Sequence, residues 1–179
     1  MVVAAALWLA HLTGAVWAQQ LPETVTGFAQ VYDGVTFDLI ESGSRYRTVT
    51  RVRLESVEAC EIRQKAKLAG FDWPCGVVAA AWLVSSTMSR PVECRPTRIL
   101  KGGGYWAQCF VENRDIGAEG IRVGMYVLAA PAGEVALPRY SELEENARQD
   151  REGLWSSEFM MPADWRRANG SYNPLAPSR

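Results

Sequence analysis

Hydrophobic and polar positions alternate in blocks whose period changes along the chain. Val25 to Leu39 has the alternation of two strands and breaks once, at Asp33-Gly34, a dipeptide suited to the positive φ of a tight turn. Arg45 to Leu54 is rich in β-branched residues and alternates strongly, so an unbroken strand would place Arg45, Arg47, Arg51 and Arg53 on one face. From Cys75 to Ser86 the period lengthens, with Val78, Ala81, Trp82 and Ser85 at helical intervals. Pro91 to Leu100 and Tyr105 to Val111 return to strands, joined across Gly102-Gly103-Gly104. Asp115 to Gly124 has the N-cap and C-terminal glycine of a short helix, and Pro138 to Trp155 reads as a longer one opened by Pro138 and closed at Gly153. After Pro162 the composition turns to Asn, Pro, Ser and Gly, which predicts a tail. Strands first, helices interleaved and one helix at the end predict an α+β, mainly β architecture: a small barrel with helices packed beside it.

Met1 to Ala18 changes that picture at one end. It is apolar and uncharged, with small residues at Val16 and Ala18 ahead of Gln19-Gln20, the pattern of a signal peptide cleaved after Ala18. A retained anchor is the other reading, against which the short apolar run counts. The expectation is an exported chain, periplasmic or secreted and without a transmembrane segment after processing. Its domain covers residues 19–167, followed by a flexible tail over 168–179. The one histidine, His11, lies in the leader, so a processed chain has no histidine base, triad or zinc ligand.

Four cysteines, Cys60, Cys75, Cys94 and Cys109, suit the same oxidising compartment, and three pairings are open. Cys60–Cys75 and Cys94–Cys109 are favoured because each closes a local loop and the second pair falls on adjacent strands. A four-cysteine zinc site would need closer ligand spacing. Charge excludes another class: 19 basic against 20 acidic residues leave no basic excess of the kind that grips a duplex. The arginine face from Arg45 to Arg53 is read either as a solvated face or as an anion-binding strip.

Set in order, several short motifs resemble the staphylococcal nuclease-like (thermonuclease) family in its exported bacterial form. Val31-Tyr32-Asp33-Gly34-Val35-Thr36-Phe37 resembles that family's V-x-DGDT opening, and Arg51 to Glu61 resembles its RVRLxGIDAPE. Trp73-Pro74-Cys75-Gly76, Ala107-Gln108-Cys109 and Asp115-Ile116-Gly117 follow in the family's order. So do Tyr140, Glu144, Ala147-Arg148, Gly153-Leu154-Trp155, Phe159, Pro162 and Trp165-Arg166. The resemblance implies an OB-type five-stranded Greek-key barrel with about three helices.

It also implies calcium-dependent phosphodiester hydrolysis, with hard oxygen ligands for the metal and guanidinium groups for the phosphate. Carried over by position, Arg53 is the first phosphate arginine and Glu61 the general base. Glu58 stands at the second metal carboxylate, and Ala59 offers the backbone carbonyl. Val35 occupies the first metal aspartate's position and Gly104 that of the second arginine, so the implied cofactor is none, or Ca²⁺ bound weakly. Lys101 is a substitute cation for the phosphate, and Asp33 or Asp38 a substitute ligand for a shifted metal. The implied function is a catalytically impaired module binding single-stranded nucleic acid or another anion through Arg45, Arg47, Arg51 and Lys101, or an envelope protein partner, and acting as a monomer. The alternative is an altered but active secreted or periplasmic nuclease.

Overall fold

The computed structural model describes residues 20–41, 47–129 and 138–170. Arg45, the leader and the last nine residues lie outside them.

Five strands close a barrel. β1 (Val25–Val31), β2 (Thr36–Glu41) and β3 (Thr48–Leu54) form an antiparallel meander, β1 also pairs with β7 (Pro91–Ile99), and β7 pairs with β8 (Tyr105–Val111). A parallel pairing of β3 with β8, Arg53 opposite Trp106, shuts the ring. The inward residues follow the period of two that the strands require: Val52 and Leu54 on β3, and Ala107, Cys109 and Val111 on β8, are all buried. The resulting fold is the mainly β, α+β barrel that the sequence pattern predicts.

Among the described residues, four α-helices flank it. In α1 (Cys75–Thr87) the buried stripe is Cys75, Ala79, Leu83 and Thr87, not the Val78–Ala81–Ser85 stripe from which the period is read. The helix has no charged residue, so hydropathy alone could not choose its inner face. α2 (Ile116–Arg122) starts where Asp115 accepts a hydrogen bond from the Ala118 N–H (3.1 Å), as its N-cap position predicts. The helix expected from Pro138 to Trp155 is two pieces, α3 (Pro138–Gln149) and a 3₁₀ turn at Gly153–Ser156, separated by Arg151 at φ 56° and Gly153 at φ 50°.

Two further elements were not legible in the hydrophobic pattern. A small hairpin, β5 (Ala66–Leu68) and β6 (Phe71–Trp73), turns through Ala69 and Gly70, both at positive φ. The predicted tail instead begins as a helix, α4 (Pro162–Asn169), with proline in its first turn. The hairpin and the segment leading into α4 are fastened together. Lys67 and Glu158 exchange both backbone hydrogen bonds (2.8 Å each), Trp73 Nε1 donates to Ser157 Oγ (3.0 Å), and buried Gln64 donates to the Met160 carbonyl (2.6 Å). Cys60 is bonded to Cys75 and Cys94 to Cys109, the two local pairings favoured above.

Candidate functional site

The turn between β1 and β2 is built by Asp33, whose Oδ1 accepts from the N–H groups of Val35 and Thr36 (2.8 Å each). Gly34 does not use positive φ. Glycine is needed because a Cβ there would stand 2.5 Å from the Ala59 Cβ. This close approach brings Asp33, Val35, Arg53, Ala59, Cys60 and Glu61 around one depression, so the structure gathers the inherited positions of the β1–β2 turn and the loop after β3.

The depression is nearly filled. Its free volume is ≈ 10 Å³, room for about one water molecule. Val35 forms part of its wall at 4% exposure, and its methyl groups belong to the main core cluster. Glu58 and Glu61 are each 16% exposed, and both are already bonded to one cation. Arg166 of α4 donates through Nη1 to Glu61 Oε1 (2.8 Å) and through Nη2 to Glu58 Oε1. Burial pulls the Arg166 guanidinium down, and its hydrogen bonds to Glu61 and Glu58 outweigh this and hold it above its ordinary value. Arg166 is a residue that sequence reasoning passed over except as part of a motif. The signal available in the sequence was the Trp165-Arg166 motif, its arginine four residues after Pro162, the start of a short helix.

The other inherited positions separate into distinct environments. Arg53 donates to Thr36 Oγ1 (3.1 Å) and lies over the Trp106 ring, 5.2 Å from its centroid. Among the described residues no carboxylate forms an ion pair with it. Arg51 shares its face, as alternation predicts, but is consumed locally. It grips buried Asp38 through Nε and Nη2, Tyr32 donates to the same carboxylate (2.6 Å), and the Tyr32 ring lies beneath the guanidinium. Asp38, the substitute metal ligand of the sequence reading, and Arg51, one of its anion binders, are thus bonded to each other. Arg47 precedes β3 and is exposed, as is Lys101 on the turn before β8.

Gly104 has its own reason to be glycine. The turn Gly102-Gly103-Gly104 runs through φ 98°, 103° and 88°, and a Cβ on Gly104 would lie 2.3 Å from the Arg51 carbonyl oxygen. This backbone disfavours any side chain at the position, an arginine included.

The calcium that the resemblance implies does not fit these residues. One carboxylate position is a core valine, the two glutamates are bonded to Arg166, and the depression beside Val35 and Glu61 has room for about one water. Among the described residues, no group of three or more His, Cys, Asp or Glu is placed to hold a metal.

Two carboxylates of the barrel are held well ionised. Burial raises Asp38, but hydrogen bonds from Arg51 and Tyr32 overcome it and leave the group below its usual range. Burial likewise raises Glu55, and hydrogen bonds from Arg98 and Thr97 bring it down. A group whose folded value is depressed adds stability above its unfolded value and loses it as pH falls through the folded value. Urea midpoints should hurry downward below about pH 4, the ordinary carboxylate range. Asp38→Asn should flatten that part of the profile. An unchanged acid limb in Asp38→Asn would remove this assignment.

No curated protein matches the chain. The model of one family, described as staphylococcal nuclease homologue, matches residues 51–157, more than half of the sequence. It begins within β3 at Arg51 and takes in the loop carrying Glu58 and Glu61, both disulfides, and the chain as far as the Gly153–Ser156 turn. With that match over a closed five-stranded barrel, the chain belongs to the staphylococcal nuclease homologue family.

Proposed function

We propose that this chain is an exported, non-hydrolysing member of its family, a module that binds an anionic ligand such as single-stranded nucleic acid rather than cutting it. The observation that carries the reading is the filled depression walled by Val35. Family-type hydrolysis asks for a bound divalent ion and a free general base, and neither has room there. Removing one fixed electrostatic group of an active site commonly lowers turnover ~10²–10³-fold. Here both Val35 and Gly104 stand in for such groups.

Binding falls to the flank of β3 and β8. Arg53 is oriented by Thr36 and Trp106 yet has no carboxylate partner among the described residues, and the Trp106 ring, which Arg98 also overlies (4.2 Å), presents guanidinium and aromatic surface together on this flank. Export is supported by the leader and agrees with two disulfides, and among the described residues no helix is long and apolar enough to cross a membrane.

The test is a phosphodiesterase assay of the oxidised chain on single-stranded and duplex DNA and RNA. Ca²⁺, Mg²⁺ and Mn²⁺ are titrated, with Glu61→Ala as the contamination control. The expected result is no turnover above the control, with single-strand affinity reduced about tenfold in Arg53→Ala, as loss of one charged hydrogen bond implies. Metal-dependent turnover that vanishes in Glu61→Ala would instead make the chain an altered nuclease.

A further inference from the structure

Thr36, Arg53, Trp106 and Arg98 stand opposite one another on the neighbouring strands β2, β3, β8 and β7, so they form one row across the barrel. Residues opposed on paired strands are close enough for long side chains to meet. The row lies on the outer side, since Val52, Leu54 and Ala107 beside it face the core. Arg98 joins it through an irregularity. Pro96 pairs with Ala107 and Arg98 with Trp106, so Thr97 is an extra residue, a bulge that re-aims the strand. Without it Thr97 would face Trp106, and the row would lose a guanidinium.

The Trp106 ring is the centre of this row. Arg53 lies 5.2 Å from its centroid and Arg98 4.2 Å, one guanidinium from the strand on each side. Both are within the range at which the ring's quadrupole attracts a cation. Two cations at one ring repel each other, and Glu55 relieves this. Its carboxylate, 9% exposed, accepts from Arg98 Nε (3.2 Å) and Nη2 (3.0 Å), from Thr97 Oγ1 (2.5 Å) and from the Ser56 N–H (3.1 Å). Arg98 is therefore fixed in direction and matched in charge. The inherited positions of the family motifs include Arg53 but none of Trp106, Arg98 and Glu55.

We propose that Trp106 is a positioning residue that seats Arg53 for phosphate, and that the row recognises the phosphate groups of a strand without reading its bases. Arg98, held by Glu55, completes the seat by fixing the indole from β7. This deepens the binding-module reading and rests on it, adding which part of the ligand is recognised. Base stacking needs an open aromatic face, and this ring is engaged by guanidinium groups from both neighbouring strands. A planar guanidinium instead matches a pair of phosphate oxygens. The row's hydroxyl, on Thr36, already accepts from Arg53 Nη1.

Fluorescence anisotropy on the full oxidised chain tests this with two labelled probes, an oligothymidylate and an abasic strand carrying the same number of phosphates. The wild type should bind the two within about twofold, because the bases add nothing. Trp106→Leu removes no charge, yet should weaken both strands about fivefold and lower the salt slope by up to about 0.7, the share of one phosphate contact on a single strand. In an Arg53→Ala background the same substitution should cost less than about twofold, since the seat has lost its occupant. Arg98→Gln combined with Glu55→Gln leaves the net charge unchanged and should weaken both strands about threefold.

An oligothymidylate bound more than about tenfold tighter than the abasic strand, with the gap closing in Trp106→Leu, makes the ring a stacking platform. That result overturns the proposal while the binding-module reading stands. An equal cost of Trp106→Leu with and without Arg53, or an unchanged affinity in the double variant, overturns it too. Should Trp106→Leu not fold, the two probes on the wild type decide without it. Binding of neither strand by the wild type overturns the binding-module reading itself, and this proposal with it.

Discussion

Replacing Gly104 by arginine, the substitution that would seem to restore a lost phosphate-binding group, destabilises the domain by about 3 kcal/mol. A left-handed residue with a Cβ costs roughly 1–2 kcal/mol, and forcing atoms into a packed region adds about 1–3. Both terms apply, because Gly104 sits at φ 88° and its Cβ would meet the Arg51 carbonyl oxygen at 2.3 Å and the Arg51 Cβ at 2.6 Å. The clash begins at the first side-chain atom, so Gly104→Ala should suffer nearly as much. Urea unfolding of the two variants beside the wild type measures it. Wild-type stability in Gly104→Arg would show that the turn has another conformation within easy reach.

Val35→Asp faces a different obstacle, since it places a carboxylate at a position 4% exposed among core side chains. Reversal of either substitution alone therefore meets the fold before it meets the chemistry.

Reduction of both disulfides removes roughly 6 kcal/mol of stability, about 3 for each fifteen-residue loop in the chain-entropy model. That is comparable to the entire stability of an ordinary domain, about 5–15 kcal/mol. The chain should thus be partly or wholly unfolded in a strong reductant and fully folded in its oxidised form, which suits an exported protein.

The two bonds should also fail differently. Cys94 and Cys109 face each other across β7 and β8, where the strand ladder already fixes the register, so Cys94→Ala with Cys109→Ala lowers the global midpoint with little local loosening. Cys60–Cys75 closes the base of the β5–β6 hairpin and borders Glu61. Its loss should in addition speed amide exchange over residues 58–76. Denaturant midpoints in oxidised and reduced buffer, with exchange read by mass spectrometry, separate the cases. An unchanged midpoint after reduction would remove both disulfides from the stability argument.

The barrel was legible because its strands obey period two with β-branched residues facing inward, and because Gly102-Gly103-Gly104 admits nothing but a turn. The helix at Asp115 was legible from its cap. The inner face of α1 was not, since an uncharged helix has no polar side to mark. The β5–β6 hairpin escaped because three-residue strands are too short to show a period, and α4 because eight residues among Asn, Gly and Ser resemble a tail. The site was half legible. Motif spacing located Val35, Arg53, Glu58 and Glu61 together, whereas the partner that neutralises the two acids comes from α4, a distance in sequence that no local pattern reports. The arginine face was legible as geometry but not as function, because Asp38 and Tyr32 claim Arg51 from the neighbouring strand and turn.

The strap from Ser157 to Arg166 has a consequence in time. Its bonds reach back to Gln64, Lys67, Trp73, Glu58 and Glu61, so they span 84 to 108 positions of chain. Contacts of such long range close late, after the local hairpins have formed. A chain emerging from its N-terminal end would assemble β1 to β8 first, with the two glutamates still lacking the guanidinium that bonds both of them. Only when the residues around position 166 have been delivered does the loop between β4 (Val57–Glu58) and β5 acquire its counter-charge. The last turn of helix to arrive is then what closes the acidic loop against the rest of the molecule.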